Sequence, residues 1–183
     1  MILIVTVVLI ALAVWAIAIF NRLVRERNRV AASWSDIDVQ LTRRHDLIPR
    51  LVEAVKAYSD YEKATLLAVT ELRGRSEGAR KLAEKAELED QIEAGMHRLI
   101  ALAESYPDLK ASENFLALQN DLTEVEDHLQ YARRFYNGAV RIYNTRLETF
   151  PDMLIAGPFG FRQAEFFEAE GTAVRAAPRV EME

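Results

Sequence analysis

Asp108–Phe150 reads DLKASENFLALQNDLTEVEDHLQYARRFYNGAVRIYNTRLETF, and this stretch decides the fold. Phe115, Leu118, Leu122, Val125, Leu129, Ala132, Tyr136, Ala139 and Tyr143 recur at alternating intervals of three and four residues, and Leu147 and Phe150 continue the same face. That alternation is a heptad seam. A helix carrying it packs lengthwise against nearly parallel or antiparallel neighbours, as in a coiled coil or a helical bundle. A helix over 108–149 would be about 63 Å long at 1.5 Å per residue.

Working towards the N-terminus, Tyr106-Pro107-Asp108 marks a break, and 79–104 is rich in Ala, Leu, Glu and Lys with a weaker apolar stripe. This second helix would reach only about 39 Å. It cannot cover the whole of the longer seam unless the first helix supplies the rest, and any leftover apolar stripe would favour association with another copy of the chain, which is the expectation here. Gly74 to Gly78 is the next expected break. Before it, 22–73 contains no Gly, one Pro and a helical apolar repeat through Val30, Trp34, Ile37, Leu41, Ile48, Leu51, Val55, Tyr58, Leu66, Val69 and Leu72. Pro49 cannot bond the carbonyl of His45 and crowds it, so the reading is one helix kinked at Pro49, with a helix-to-helix division there as the alternative. The fold class is therefore all-α: an up-and-down antiparallel bundle of three to four long helices.

What precedes the bundle is of a different kind. Met1 to Phe20 reads MILIVTVVLIALAVWAIAIF and holds no charge. Its length matches the hydrocarbon thickness of a bilayer. Its thirteen Leu, Ile, Val and Phe residues favour insertion by roughly 4–8 kcal/mol. A cleaved signal peptide would use Ala16-Ile17-Ala18, but no basic side chain precedes the run and Trp15 intrudes on the site. A buried core helix would need partners on every face, which so short a chain can hardly supply. The expectation is a transmembrane anchor over 1–21, running from Ile2 past Trp15 to Phe20. Arg22, Arg25, Arg27 and Arg29 follow at once. Basic residues flanking a span remain in the cytoplasm, which places the N-terminus outside the inner (cell) membrane and 22–150 inside.

Among the 183 residues there is no Cys, which excludes disulfides, thiolate metal sites and cysteine catalysis. A net charge of −5 gives no bulk argument for nucleic acid, and none is expected as a partner. His45, His97 and His128 have neither a second His nor a carboxylate at a metal-ligand spacing. Phosphate-cradling glycine loops are missing from the sequence. No cofactor, metal or catalytic residue is expected. The densest polar groups are Asp36, Asp38, Arg43, Arg44, His45 and Asp46 on the first helix, and Arg133, Arg134, Asn137, Arg141 and Asn144 on the last. They could act as acids, bases and substrate-orienting cations. The simpler reading has carboxylates and arginines pairing between helices to fix their register, with Arg134 important for folding or assembly. The Tyr-Asn pairs at 136–137 and 143–144 lie one heptad apart, which suits a repeated packing role. Beyond Pro151, the segment 151–170 gathers Phe159, Phe161, Phe166 and Phe167 as an aromatic docking tail, for the bundle first and otherwise a partner protein or the membrane surface. Residues 171–183 are expected to be disordered.

These residues together resemble a known family. Trp34-Ser35-Asp36-Ile37-Asp38-Val39-Gln40-Leu41, Arg43-Arg44-His45-Asp46-Leu47-Ile48-Pro49-Arg50-Leu51-Val52 and Val55-Lys56 with Tyr58 look like the signature of the LemA family. Pro107-Asp108-Leu109-Lys110-Ala111, Glu113-Asn114-Phe115 and Leu118-Gln119 agree with it. So do Ala132-Arg133-Arg134, Tyr136-Asn137, Val140, Tyr143-Asn144 and Phe150-Pro151, and in the tail Gly160-Phe161 and Phe167-Glu168. Arg50 stands where the pattern usually has Asn, and Tyr61 precedes Glu62 where His is common, which argues against a metal or proton-transfer role at either position. The resemblance implies a membrane anchor carrying an antiparallel bundle, usually counted as four helices, without an established enzymatic activity. The functional expectation is a non-enzymatic scaffold at the lipid bilayer, assembled as a homo-oligomer. The alternatives are an adaptor or regulator that binds a membrane transporter or protease, and a membrane-remodelling polymer.

Overall fold

In a computed structural model the described residues are 1–57 and 63–168. Tyr58, Tyr61 and Glu62, the last residues of the aromatic tail and the whole of 171–183 lie outside them. All regular structure among the described residues is helical: α1 (Ile2–Lys56), α2 (Lys63–Gly78), α3 (Leu82–Ala103), α4 (Pro107–Lys110), α5 (Glu113–Glu148) and α6 (Met153–Ala156). The described residues divide into two compact units, one built from Met1–Val39 with Gln130–Phe166, the other from Gln40–Leu129 with Phe167 and Glu168.

The second unit is a four-helix bundle. Leu47, Ile48, Leu51 and Val55 of α1 share one buried core with Leu66 and Val69 of α2, Ile92, Met96, Leu99 and Ala103 of α3, Leu109 of α4, and Phe115, Leu118, Leu122 and Val125 of α5. Cross-helix pairs give the directions. Where α1 enters this unit, just past Gln40, it meets late α2 (His45 with Glu77) and α5 near Glu124 (Arg43 with Glu124). Its last turn shares a cleft with Phe115 at the start of α5, and late α2 meets early α3 (Ser76 with Glu89). Successive long helices therefore alternate in direction, the up-and-down arrangement. Gly95 lets α3 come close to α2, since a Cβ there would sit 2.5 Å from the Val69 methyl Cγ2.

The first unit is an antiparallel pair, α1 before Val39 and α5 after Gln130, with the 149–166 segment folded back on it. Trp34 meets Tyr136 edge-on at 5.7 Å, and Glu26 meets Arg146 at 3.6 Å. The side chains of the first eighteen residues are exposed apart from a half-buried Ala16. They make α1 the one helix, among the described residues, long and apolar enough to cross a membrane.

Three boundaries differ from the sequence reading. Residues 22–73 are not one kinked helix: α1 passes through Pro49 without stopping and ends at Lys56, and α2 starts afresh at Lys63. The bundle therefore counts four long helices because the chain divides after Lys56 and not at Pro49. Gly74 to Gly78 is no break, for α2 continues to Gly78. A glycine in a helix costs about 1 kcal/mol, and here the buried Val69 and Ser76 on either side, with the Arg73–Glu77 pair at 3.0 Å, hold the turn helical. The seam helix starts at Glu113 and not at 108, because Pro107 opens the separate short turn α4.

Candidate functional site

A helix seam that is apolar except at one position marks a site, and two helices of the bundle carry such an exception. On α1 the buried run Ile37, Leu41, Ile48, Leu51, Val55 places Arg44 at the missing seam position. On α3 the run Ile92, Met96, Leu99, Ala103, extended one step towards the N-terminus, arrives at Glu89. Both side chains are fully buried, and they pair: the Arg44 Nη2 donates to the Glu89 carboxylate and, at 3.2 Å, to the Glu89 backbone carbonyl. Through Nη1 the same guanidinium reaches Glu126 of α5 at 3.3 Å and Glu93 of α3 at 3.8 Å. The second Glu89 oxygen lies 2.8 Å from His45 Nε2 and accepts from the Ser76 hydroxyl of α2, while His45 Nδ1 faces Glu77 at 3.7 Å. One buried cluster thus ties together all four long helices of the bundle.

Its electrostatics follow from its neighbours. Burial alone pushes the Glu89 carboxyl up. The hydrogen bond with His45, the Arg44 charge and the Ser76 hydroxyl together outweigh burial and hold it at about 2, below the usual 4.5. A carboxylate held there stays ionised through the neutral range and is a weak base. With its lone pairs already taken by Arg44, His45 and Ser76, it is suited to fixing helices against one another rather than to moving protons. Among the described residues no group of three or more His, Cys, Asp or Glu side chains is arranged to hold a metal ion. His97 and His128 are exposed. A surface cleft of about 550 Å³ lies between α1, α4 and α5, bordered by Arg50, Glu53, Asp121 and Phe115.

The other polar residues singled out in the sequence fall elsewhere. Arg43 reaches Glu124 of α5 at 3.8 Å, with both side chains about half exposed. Asp36, Asp38, Asp46 and Arg141 are exposed, and Arg133 is half-buried. Arg134 stays on its own helix, bonding the Gln130 carbonyl at 3.3 Å and lying over the Tyr131 ring at 4.8 Å. Arg22, Arg25, Arg27 and Arg29 are exposed along α1; Arg27 covers Phe161 and Arg29 covers Phe135. Of the seam, Phe115, Leu118, Leu122, Val125 and Leu129 are buried in the bundle, and Tyr136, Ala139 and Tyr143 are buried in the first unit. Ala132 is half-buried, and Phe150, read as an extension of the seam, is 71% exposed because α5 has ended at Glu148. In the two Tyr-Asn pairs, both tyrosines are buried and both asparagines half-buried. Tyr136 donates to the Glu165 carbonyl at 2.8 Å, whereas Asn144 both donates to and accepts from the Ala164 backbone at 2.9 Å. Burial and the nearby Glu165 charge push the Tyr136 hydroxyl up.

Sequence reasoning missed Glu89, Ser76 and Glu126. The signal was present in Glu89: a carboxylate standing where the α3 stripe requires an apolar residue demands a buried cation, and Arg44 is that cation on α1.

Comparison with known proteins places this architecture. A family model described as the LemA family matches residues 33–182. The chain is 26% identical over 150 residues to "Protein LemA" of Metamycoplasma hominis, covering 81% of this chain and 68% of that protein. It is 32% identical over 71 residues to the magnetosome proteins MamQ 1 and MamQ 2 of Paramagnetospirillum magneticum, a match covering 39% of this chain but only 26% of each relative.

Proposed function

This chain belongs to the LemA family, and on that footing we propose that it is a non-enzymatic, single-pass membrane protein whose helical bundle serves as a self-assembling scaffold in the cytoplasm. The observation that carries the reading is the exposure of an uncharged apolar helix end, Ile2 to Ile17, followed directly by four exposed arginines. Water does not tolerate so long an unpartnered apolar face, and a bilayer does. The arginine flank supports an outside N-terminus and a cytoplasmic bundle in the inner membrane. No cofactor and no nucleic acid enter this reading. Its interior polar cluster is spent on helix register, which supports a structural role over catalysis.

Self-assembly is supported by α5. Tyr131, Phe135 and Ile142 are 66, 52 and 44% exposed and lie on one helical stripe, offering apolar surface to a second copy. The test is the mass of the full chain purified in mild detergent. A scaffold runs as a homo-oligomer, and Phe135→Glu with Ile142→Glu reduces it to monomer. A chain that is monomeric alone, and grows only when solubilised membrane proteins are added, is instead an adaptor for a membrane partner.

A further inference from the structure

We infer that the turn between α5 and the returning tail, residues 150–160, is a second membrane contact: an apolar cap that dips into the headgroup–acyl boundary of the leaflet where α1 leaves the bilayer. This rests on the anchor reading above and adds to it a surface far along the sequence from the span.

The geometry within the first unit fixes where the turn lies. Because α5 runs antiparallel to α1, its C-terminal end arrives beside the end of the apolar run. Ala156 is buried with Ile19 and Leu23, with Ile155, Leu147 and Phe161 packed against them. The Phe20 ring meets Phe159 edge-on at 5.2 Å and Phe161 at 5.5 Å. The chain then returns, and by Ala164 it is bonded to Asn144 again. The turn therefore sits beside α1 residues 16–23, where the sequence changes from uncharged and apolar to Asn21 and Arg22.

The chemistry of the turn suits that depth. Met153 to Phe161 reads MLIAGPFGF, with no charge. Phe150, Met153, Leu154 and Phe159 are 71, 49, 52 and 63% exposed, an apolar patch that soluble surfaces seldom carry. The one charge in the turn, Asp152, is buried and paired with Arg146 at 3.4 Å. From Met153 to Phe161 the backbone N–H groups bond within the turn and its entry, among them Leu154 to Pro151, Ala156 to Asp152, Phe159 to Ile155, Gly160 to Gly157 and Phe161 to Ala156. Backbone bonded in this way costs less to bring towards the hydrocarbon, where water is absent. A cleft of about 230 Å³, lined by Ala16, Ile17, Phe20 and Phe159 alone, lies between the span and the turn and is open to an acyl chain. Exposed Arg22 and Arg25 just beyond supply the charge that attracts anionic headgroups. Lipid is favoured over a protein partner because the span itself brings the patch to the interface.

The chain has no cysteine, so single substitutions to cysteine label one site each. The full chain is reconstituted into vesicles of phosphatidylcholine and phosphatidylglycerol, with nitroxides at Leu154→Cys and Phe159→Cys and references at Ile10→Cys and Glu165→Cys. Collisions with oxygen, which concentrates in lipid, are compared with collisions with a water-borne nickel chelate. The expected result is an oxygen-to-nickel ratio at 154 and 159 several-fold above that at 165 and below that at 10. Phe159→Cys removes a ring from the Phe20 cluster, so Leu154→Cys decides if the two differ. Probes at 154 and 159 that match 165, with 10 deep in lipid, overturn the cap and leave the anchor standing. Shielding of 154 and 159 from both reagents means that protein covers the patch, which also overturns it. An aqueous reading at 10 removes the anchor and the cap together.

Discussion

The two units share apolar packing and differ in where α1 places its polar contacts. In the bundle, α1 meets its neighbours through its apolar seam and also through Arg44 and His45, buried polar side chains whose partners lie on three other helices. In the unit that holds the N-terminal end of α1, the buried contacts of α1 are rings and alkyl chains: Trp34 on Tyr136, Phe20 on Phe159 and Phe161, and Ile19 with Leu23 on Ala156. Its ion pair there, Glu26 with Arg146, is partly exposed. Apolar contacts slide by a turn at little loss, whereas a buried ion pair works in one register. The bundle, whose helices repeat similar heptads, has the greater need of a register lock.

That contrast is broken most forcefully at Glu89. Glu89→Ala leaves Arg44 buried without its main counter-ion, and a loss of about 3–5 kcal/mol is expected for an orphaned buried charge. Denaturation of the detergent-solubilised chain measures it, and a loss under about 1 kcal/mol would mean that the cluster does not lock the bundle. Acid should sharpen the same point. Glu89 is held at about 2 in the folded chain against 4.5 ordinarily. Between those values the unfolded chain binds more protons than the folded one. The stabilisation is therefore complete above about pH 4.5 and is lost as the pH falls towards 2, amounting to about 3 kcal/mol. Melting temperature against pH should fall more steeply there for the natural chain than for Glu89→Gln.

Smaller effects probe the apolar contacts. Gly95→Ala must displace the buried and stiff Val69, and a destabilisation of about 1–2 kcal/mol is expected after the gain in helix propensity. In the first unit, Asn144→Ala removes two hydrogen bonds to the tail, about 1–2 kcal/mol. Hydrogen exchange should quicken across 161–166 while the bundle stays protected. Arg134→Ala should change the melting point least, within about 0.5 kcal/mol, because this arginine is exposed and bound only to its own helix.

The fold was legible wherever one periodic signal was strong. The 3–4 alternation of Phe115 to Tyr143 gave α5, and the uncharged opening run gave the apolar end of α1. Boundaries were less legible because local signals lose to packing. Gly74 stays helical between buried neighbours, and Pro49 stays inside a helix long enough to tolerate one missing hydrogen bond. The polar cluster was half legible. Arg44 stood out, but Glu89 lay in the weaker stripe of α3, where one misplaced carboxylate is hard to distinguish from an ordinary solvated face. The tail was legible as aromatic but not as a turn beside the span, since that depends on the antiparallel path of α5.

An anchored chain has its apolar end in the bilayer and its bundle in the cytoplasm. Cells producing single-cysteine variants Ile2→Cys and, at an exposed bundle position, Glu104→Cys are treated with a membrane-impermeant maleimide before and after permeabilisation, and their membranes are then washed in alkaline carbonate. The chain is expected to stay in the washed membranes, position 2 to label in intact cells, and position 104 to label only after permeabilisation. Release of the chain by carbonate, or labelling of position 104 in intact cells, rules this arrangement out.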